Sequence, residues 1–247
     1  MKNYIFTILL CLIFTSCKKE LSFENETFEE KSTIPCKNDC PNITIEVPIA
    51  KNRKIVSDSI NKKVFAAIKE IIYFGEDSTK VNDYKSLSKS FIASYEEMHL
   101  KFPNDTFGWE GKIKGNIEFE SEQVLNIKID HYTFTGGAHG YQGYKSLLFD
   151  IKTGKTIFNN QLFKNEKEFK AFAEKEFRAK YHIPEKANIN ATGLMFENDT
   201  FQLPQNIFFT SEGLLLYYNS YEAASYADGP KEIVFPYNKV KGFLKFQ

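Results

Sequence analysis

Charge of one sign is missing from this chain. Its 247 residues carry 32 Lys+Arg against 32 Asp+Glu, so no global field draws it toward nucleic acid or an anionic surface, and nucleic-acid binding is disfavoured. Tryptophan is nearly absent, with Trp109 alone, and histidine and cysteine number four each. No HExxH or GxSxG element occurs, so the zincin helix and the serine-hydrolase elbow have no counterpart here, and no cofactor is expected. The one long apolar run, residues 4–14, is too short to span a bilayer. Strands and helices also come in runs without βαβ alternation, which sets aside a parallel α/β fold.

Apolar bulk is plentiful. A hydrophobic share of 42%, with 24 Phe and 13 Tyr, supports a packed interior rather than a disordered chain and favours strands and bulky cores. The length suits one large domain or two halves sharing a core.

Residues 1–16 read as a signal peptide: Lys2, the apolar run, then small residues. Phe14-Thr15-Ser16-Cys17 resembles a bacterial lipobox, which makes Cys17 the first mature residue and the site of acylation. Two or more acyl chains anchor a protein stably, so the expected address is extracytoplasmic, tied to a membrane through Cys17. Lys18 stands where an aspartate would retain a proteobacterial lipoprotein at the inner membrane, so the outer membrane is expected where one exists. Residues 17–41 are polar and glutamate-rich without a sustained period, and read as a solvated tether lifting the domain off the lipid. Cys36 and Cys40 are then the only thiols left; in an oxidising compartment a local disulfide is expected, since zinc would need two further ligands nearby.

The rest predicts an α+β fold of antiparallel sheet packed with about three main helices. Residues 42–48 alternate as a strand stopped by Pro48. A first helix starts near Ser57-Asp58-Ser59 with Gly75 as its cap, and a second runs from about Asp83 to Phe102 with Leu87, Phe91, Tyr95 and Met98 as its stripe. An antiparallel meander with one wet face follows: residues 112–120 put Ile113, Ile117 and Phe119 on one face, residues 124–134 bury Leu125, Ile127 and Ile129, and residues 144–151 leave through a hairpin at Gly154. Asn165 caps a third helix lined by Phe169, Ala173, Phe177 and Tyr181, where His182 partners the helix end. Two hairpin strands around Ser211-Glu212-Gly213, a last strand at residues 233–236 and a short closing helix complete the chain.

The stretch 130–144 is the densest mixture of glycine, histidine and tyrosine. Gly136, Gly137, Gly140 and Gly143 allow positive φ and bulges in a wide hairpin. Thr135-Gly136-Gly137-Ala138-His139-Gly140, the later Phe149-Asp150-Ile151-Lys152-Thr153-Gly154-Lys155 with Leu162-Phe163, and the tail Tyr221-Glu222-Ala223-Ala224-Ser225-Tyr226-Ala227-Asp228-Gly229-Pro230 together resemble a bacterial extracytoplasmic family. It is the pair of domains of unknown function, families 4163 and 3298, found in the lysozyme-sensing anti-sigma factor RsiV and beside the deacetylase domain of the peptidoglycan deacetylase PdaC. The tail departs from that family's tyrosine-glutamate-isoleucine-alanine-proline-tyrosine pattern, with Ala223 at the isoleucine and Ser225 at the proline. The resemblance implies a PdaC-like half at 42–147 and an RsiV-like half at 148–247. It also implies a standalone cell-envelope binding module for a cell-wall enzyme such as lysozyme, for peptidoglycan or for an envelope protein. No sigma-binding segment, spanning helix or deacetylase domain is expected.

Two readings of the loop stay open. In the first it presents a binding face, with Tyr132, His139, Tyr141, Tyr144, Tyr221 and Tyr226 as contact residues, because tyrosine offers area at low entropic cost. In the second, Asp130, His131 and His139 form a hydrolytic site on peptidoglycan or another carbohydrate, or a metal site. Strand alternation speaks against the second, since it sends Asp130 and His131 to opposite faces.

Overall fold

Period-two alternation builds most of the first half. The computed structural model describes residues 20–36, 40–75, 78–103 and 107–246; the leader expected at 1–16 and the acylation expected at Cys17 lie outside the described residues. Five strands, β1 (Ser22–Lys31), β2 (Asn42–Lys51), β3 (Glu110–Glu120), β4 (Val124–Phe134) and β5 (Tyr141–Asp150), form one sheet in that order. Helices α1 (Lys54–Ile72) and α2 (Tyr84–Lys101) connect β2 to β3 and cover one face of the sheet. Ile60, Val64 and Ile68 of α1 with Leu87 and Phe91 of α2 bury against Ile43, Ile45, Ile113, Ile127 and Ile129. Each such side chain, fully buried, contributes roughly 2 kcal/mol before conformational entropy is charged against it.

Several expectations are corrected, each for a local reason. The region read as a solvated tether contains β1, which pairs antiparallel with β2 over ten residues, from Ser22 opposite Lys51 to Lys31 opposite Asn42. Its period of two is hidden by a change of face: Phe23 is half-buried at one parity, while Glu26, Phe28 and Glu30 are half-buried at the other. The switch falls where Asn25 lies opposite Pro48. Pro48 does not end β2 either. The parallel pairing of β2 with β3 stops at Glu46 opposite Lys114, so by residue 48 no ladder bond to β3 is required and proline is tolerated. That parallel pair makes the sheet mixed rather than wholly antiparallel, because the connection carrying two helices returns β3 alongside β2.

A bulge in β3 leaves Glu118 without a register partner between Ile117, opposite Ile127, and Phe119, opposite Asn126. Phe119 therefore turns away from the helices, against Phe209 and Tyr237. α1 begins a turn earlier than Ser57, at a point fixed by Arg53, whose guanidinium donates to the carbonyls of Ile151 (3.2 Å) and Lys152 (2.7 Å). It ends on Tyr73 rather than Gly75, and Met98 of the second stripe is 41% exposed.

The second half follows a one-turn helix, α3 (Asn159–Leu162). Helix α4 (Glu166–Lys180), capped by Asn165 accepting from the Glu168 amide at 3.3 Å, packs with a three-stranded antiparallel sheet of β6 (Asn206–Phe209), β7 (Leu214–Tyr218) and β8 (Lys231–Phe235) and the one-turn α5 (Tyr237–Val240). Phe169, Ala173 and Phe177 of α4 enter its core with Phe201, Phe209, Tyr218 and Phe235. The fold class is thus α+β, as the run order indicates, in two sheets.

Three asparagines join the halves. Buried Asn126 donates to Ser146 Oγ (3.0 Å) and to the Leu147 carbonyl (3.2 Å), and its Oδ1 accepts from the Phe209 amide (2.9 Å). Asn206 Oδ1 accepts from the Ser146 amide (2.9 Å). Asn219 accepts from the Tyr144 amide (2.8 Å) and donates to the Tyr144 carbonyl (2.9 Å), standing in for a neighbouring strand on the open edge of β5. The face expected to be wet is therefore covered where Val124, Asn126 and Leu148 meet the second half. Farther along it carries charged residues, among them Glu46, Lys112, Lys114 and Asp130.

Candidate functional site

The glycine loop closes the β4–β5 hairpin at the end of the sheet remote from residue 22. Its four glycines divide by role. Gly136 and Gly137 turn the chain at φ 103° and 92°, whereas Gly140 makes room for a neighbour: a Cβ there would collide with the Tyr132 ring unless that ring moved. Gly143 has the same role beneath the ring of His131.

The loop and the tail motif, distant in sequence, meet in space. His139 stacks on Tyr226 at 3.8 Å between ring centres and 15° between planes. The Gly140 carbonyl accepts from the Tyr226 hydroxyl (3.0 Å) and lies 2.9 Å from His139 Nδ1. A carbonyl only accepts, so the Nδ1–H is the donor of this pair. Tyr221, 56% exposed, lies 5.7 Å from Tyr226.

Behind this contact runs an open groove of about 480 Å³ lined by Asn42, Phe107, Trp109, Glu110, Tyr132, Phe134 and His139 among others. Trp109 lines it with its ring nearly buried, in edge contacts with Phe74, Phe91 and Tyr95 of the helix-covered core. Phe107 stands 63% exposed at the rim. Polar and apolar surface alternate along it, the polar part including the Glu110 carboxylate, paired with Lys112, the Asn42 amide, the Tyr132 hydroxyl and His139. Cys40, which also lines the groove, is joined to Cys36 by a disulfide with Cα atoms 5.5 Å apart. Its volume and its mixed aromatic and polar lining describe a binding cleft.

Of the residues singled out in the sequence, Tyr132 and His139 line the groove and Tyr226 backs it. Tyr141 and Tyr144 do other work. Tyr141 reaches toward the Ser220 carbonyl at 3.5 Å. Tyr144 packs on Tyr217 (4.8 Å) with the Lys128 ammonium 3.9 Å from its ring centre, so it fastens the second half to the sheet. Burial raises the phenol pKa of both, and pushes Tyr217 up to about 12.

Asp130, His131 and His139 do not converge. Asp130 is on the charged face beside Lys112 and Lys114. His131 is on the opposite face, 8% exposed, its Nδ1 without a hydrogen-bond partner among the described residues. Burial lowers its pKa to about 4, with Asp130 raising and Lys145 lowering it to smaller extents. Among the described residues no group of three or more His, Cys, Asp or Glu side chains is placed to hold a metal. Glu222 of the tail motif is structural: it accepts from the Gln205 amide (2.6 Å) and the Asn219 amide (3.0 Å), and its burial raises its pKa against those two bonds.

Trp109, Phe107, Phe134 and Glu110 were not among the residues expected at a site. The available signal was the sole tryptophan inside Phe107-Gly108-Trp109-Glu110, a run that breaks strand alternation and so reads as a strand's approach.

No curated protein matches the chain in sequence. Among solved structures, a member of the DUF3298 family from Bacteroides fragilis superposes with a TM-score of 0.71 at 19% identity, over 92% of this chain and 94% of that one. A DUF3298 family protein from Pseudomonas aeruginosa superposes with a TM-score of 0.65 at 21% identity, over 92% and 96%. At such identities the likeness speaks for the fold. In sequence, residues 34–142, which hold every groove-lining residue, match the model described as Deacetylase PdaC, and residues 155–238 match that of a protein of unknown function, DUF3298. The chain thus carries a PdaC segment followed by a DUF3298 segment, on a fold shared with solved DUF3298 proteins.

Proposed function

We propose that this chain is a non-catalytic, extracytoplasmic binding module, anchored by lipid on Cys17, that holds a fragment of cell-wall peptidoglycan in the groove beneath the glycine loop. The observation that carries the reading is the groove itself, where the aromatic residues Phe107, Trp109, Tyr132 and Phe134 alternate with the polar groups of Asn42, Glu110 and His139. Sugar rings lay their C–H faces on aromatic side chains, while amide and carboxylate groups take the hydroxyl and acetamido donors and acceptors. A volume of about 480 Å³ fits a small ligand rather than a broad protein epitope, which buries on the order of 800 Å² per partner. The PdaC name attached to residues 34–142 and the resemblance to the RsiV pair both favour a cell-wall ligand. The hydrolytic alternative at Asp130, His131 and His139 lacks a converging acid and base.

Calorimetry with the mature chain tests this. Soluble peptidoglycan fragments are expected to bind and His139→Ala to weaken them; binding of a lysozyme in their place would assign the groove's end to a protein partner. Hydrolysis of the fragments, lost in His139→Ala, would overturn the non-catalytic reading.

A further inference from the structure

The start of β1 and the groove lie at opposite ends of the first sheet, and the end where β1 starts has a surface of its own. Leu21 is already packed against the first core. Only three residues separate it from Cys17, and four extended steps reach at most about 14 Å. β1 then enters the sheet at Ser22, beside Lys51 at the end of β2 and at the same end as Glu120 and Asp150. Instead of hanging from a long tether, the folded part starts almost at the lipid.

That end is knitted together. Asn52 donates to Ser22 Oγ (2.8 Å), Arg53 holds the Ile151 and Lys152 carbonyls, and Ser59 Oγ donates to the Gly154 carbonyl (2.8 Å). The start of β1, the entry to α1 and the turn after β5 therefore form one rigid surface. On it Ile55 stands 83% exposed. Around it Arg53, Lys54, Lys152 and Lys155 line a shallow apolar hollow that no carboxylate lines; Glu20, Glu120 and Glu122 line the adjoining hollow on the other side of Arg53.

We infer that this surface rests on anionic phospholipid, with Ile55 dipping into the headgroup boundary, the three lysines at the phosphates, and the groove held away from the membrane. The inference rests on the acylated Cys17 proposed above. An isolated, exposed isoleucine ringed by lysines is the residue pattern of a membrane interface, where apolar insertion and attraction to anionic headgroups add. The short reach from Cys17 selects a lipid surface over a soluble acidic partner. Strands of ten and eleven residues then carry the groove about 30 Å further out.

The test uses the full lipidated chain in vesicles of phosphatidylglycerol and phosphatidylethanolamine containing spin-labelled lipid as a quencher. Cys36 and Cys40 are disulfide-bonded and Cys17 is acylated, so Ile55→Cys or Ala138→Cys supplies a single thiol for a fluorophore. The label at 55 should be quenched much more strongly than the label at 138, and Lys54→Glu with Lys152→Glu and Lys155→Glu should abolish the difference. Equal quenching at both positions, or stronger quenching at 138, on a chain whose mass shows the acyl groups, would overturn the orientation and leave the anchor intact. A mature chain without acyl groups would overturn both.

Discussion

His131 shows how one buried ring couples the groove's end of the sheet to pH. In the unfolded chain it takes a proton near 6.5, but in the fold burial holds its pKa to about 4. Between those values the unfolded state binds more protons, so stability falls as the pH drops from 6.5 toward 4 and the loss levels off below. The limiting contribution is about 3 kcal/mol. Denaturant unfolding at a series of pH values should show this slope, and His131→Gln, which cannot charge, should flatten it relative to the wild type; parallel profiles would contradict the assignment. His139 is the contrasting case. Its ring is exposed and stacked on Tyr226, so His139→Ala should cost no more than about 1 kcal/mol while weakening ligand. A large stability loss would mean that the loop, not the ligand, depends on it. Residue chemistry at these sites was partly legible: alternation through β4 sends Asp130 and His131 to opposite faces, as observed. What the sequence could not convey was that Gly140 and Gly143 serve neighbouring rings rather than positive φ.

Among the elements, β5 has the most exposed position. Its outer edge is covered at Ser146 by Asn206 and at Tyr144 by Asn219, whose amide pairs with both backbone groups of Tyr144 and is held in place by Glu222. Asn219→Ala removes a strand mimic and leaves those groups to water. We expect a loss of about 1–3 kcal/mol, and amide exchange at Tyr144 should accelerate by more than that at Ile129 in the sheet interior. Uniform acceleration along both strands would show that Asn219 supports the whole fold rather than the edge. Most elements were legible from period and caps, including the Asn165 cap and the hairpin at Gly154. β1 was not, because its face changes opposite Pro48. Nor was the turn of Phe119, because one bulged residue reverses every later side chain.

For the whole molecule, the two halves share no sheet, and asparagine side chains with aromatic contacts hold them together. The groove is built by residues from the loop before β3, β4 and the glycine loop, with the tail motif of the second half behind it. Such a site was illegible beforehand, since no local spacing in the sequence announces that residues 107–110, 132–140 and 226 meet. The Cys36–Cys40 bond closes a five-residue loop beside that groove. Its reduction should cost about 2 kcal/mol on loop entropy, readable as a lower unfolding midpoint in the presence of reductant; an unchanged midpoint would show that the β1–β2 connection holds itself.

The groove claim has a built-in reporter, because Trp109 is the only tryptophan and is among the residues that line it. Titration of the mature chain with soluble peptidoglycan fragments, followed by tryptophan emission, should give a saturable change, with affinity reduced about tenfold in Tyr132→Ala. A natively folded chain whose emission does not move, while calorimetry reports fragment binding unaffected by Tyr132→Ala, would contradict the groove as the binding site.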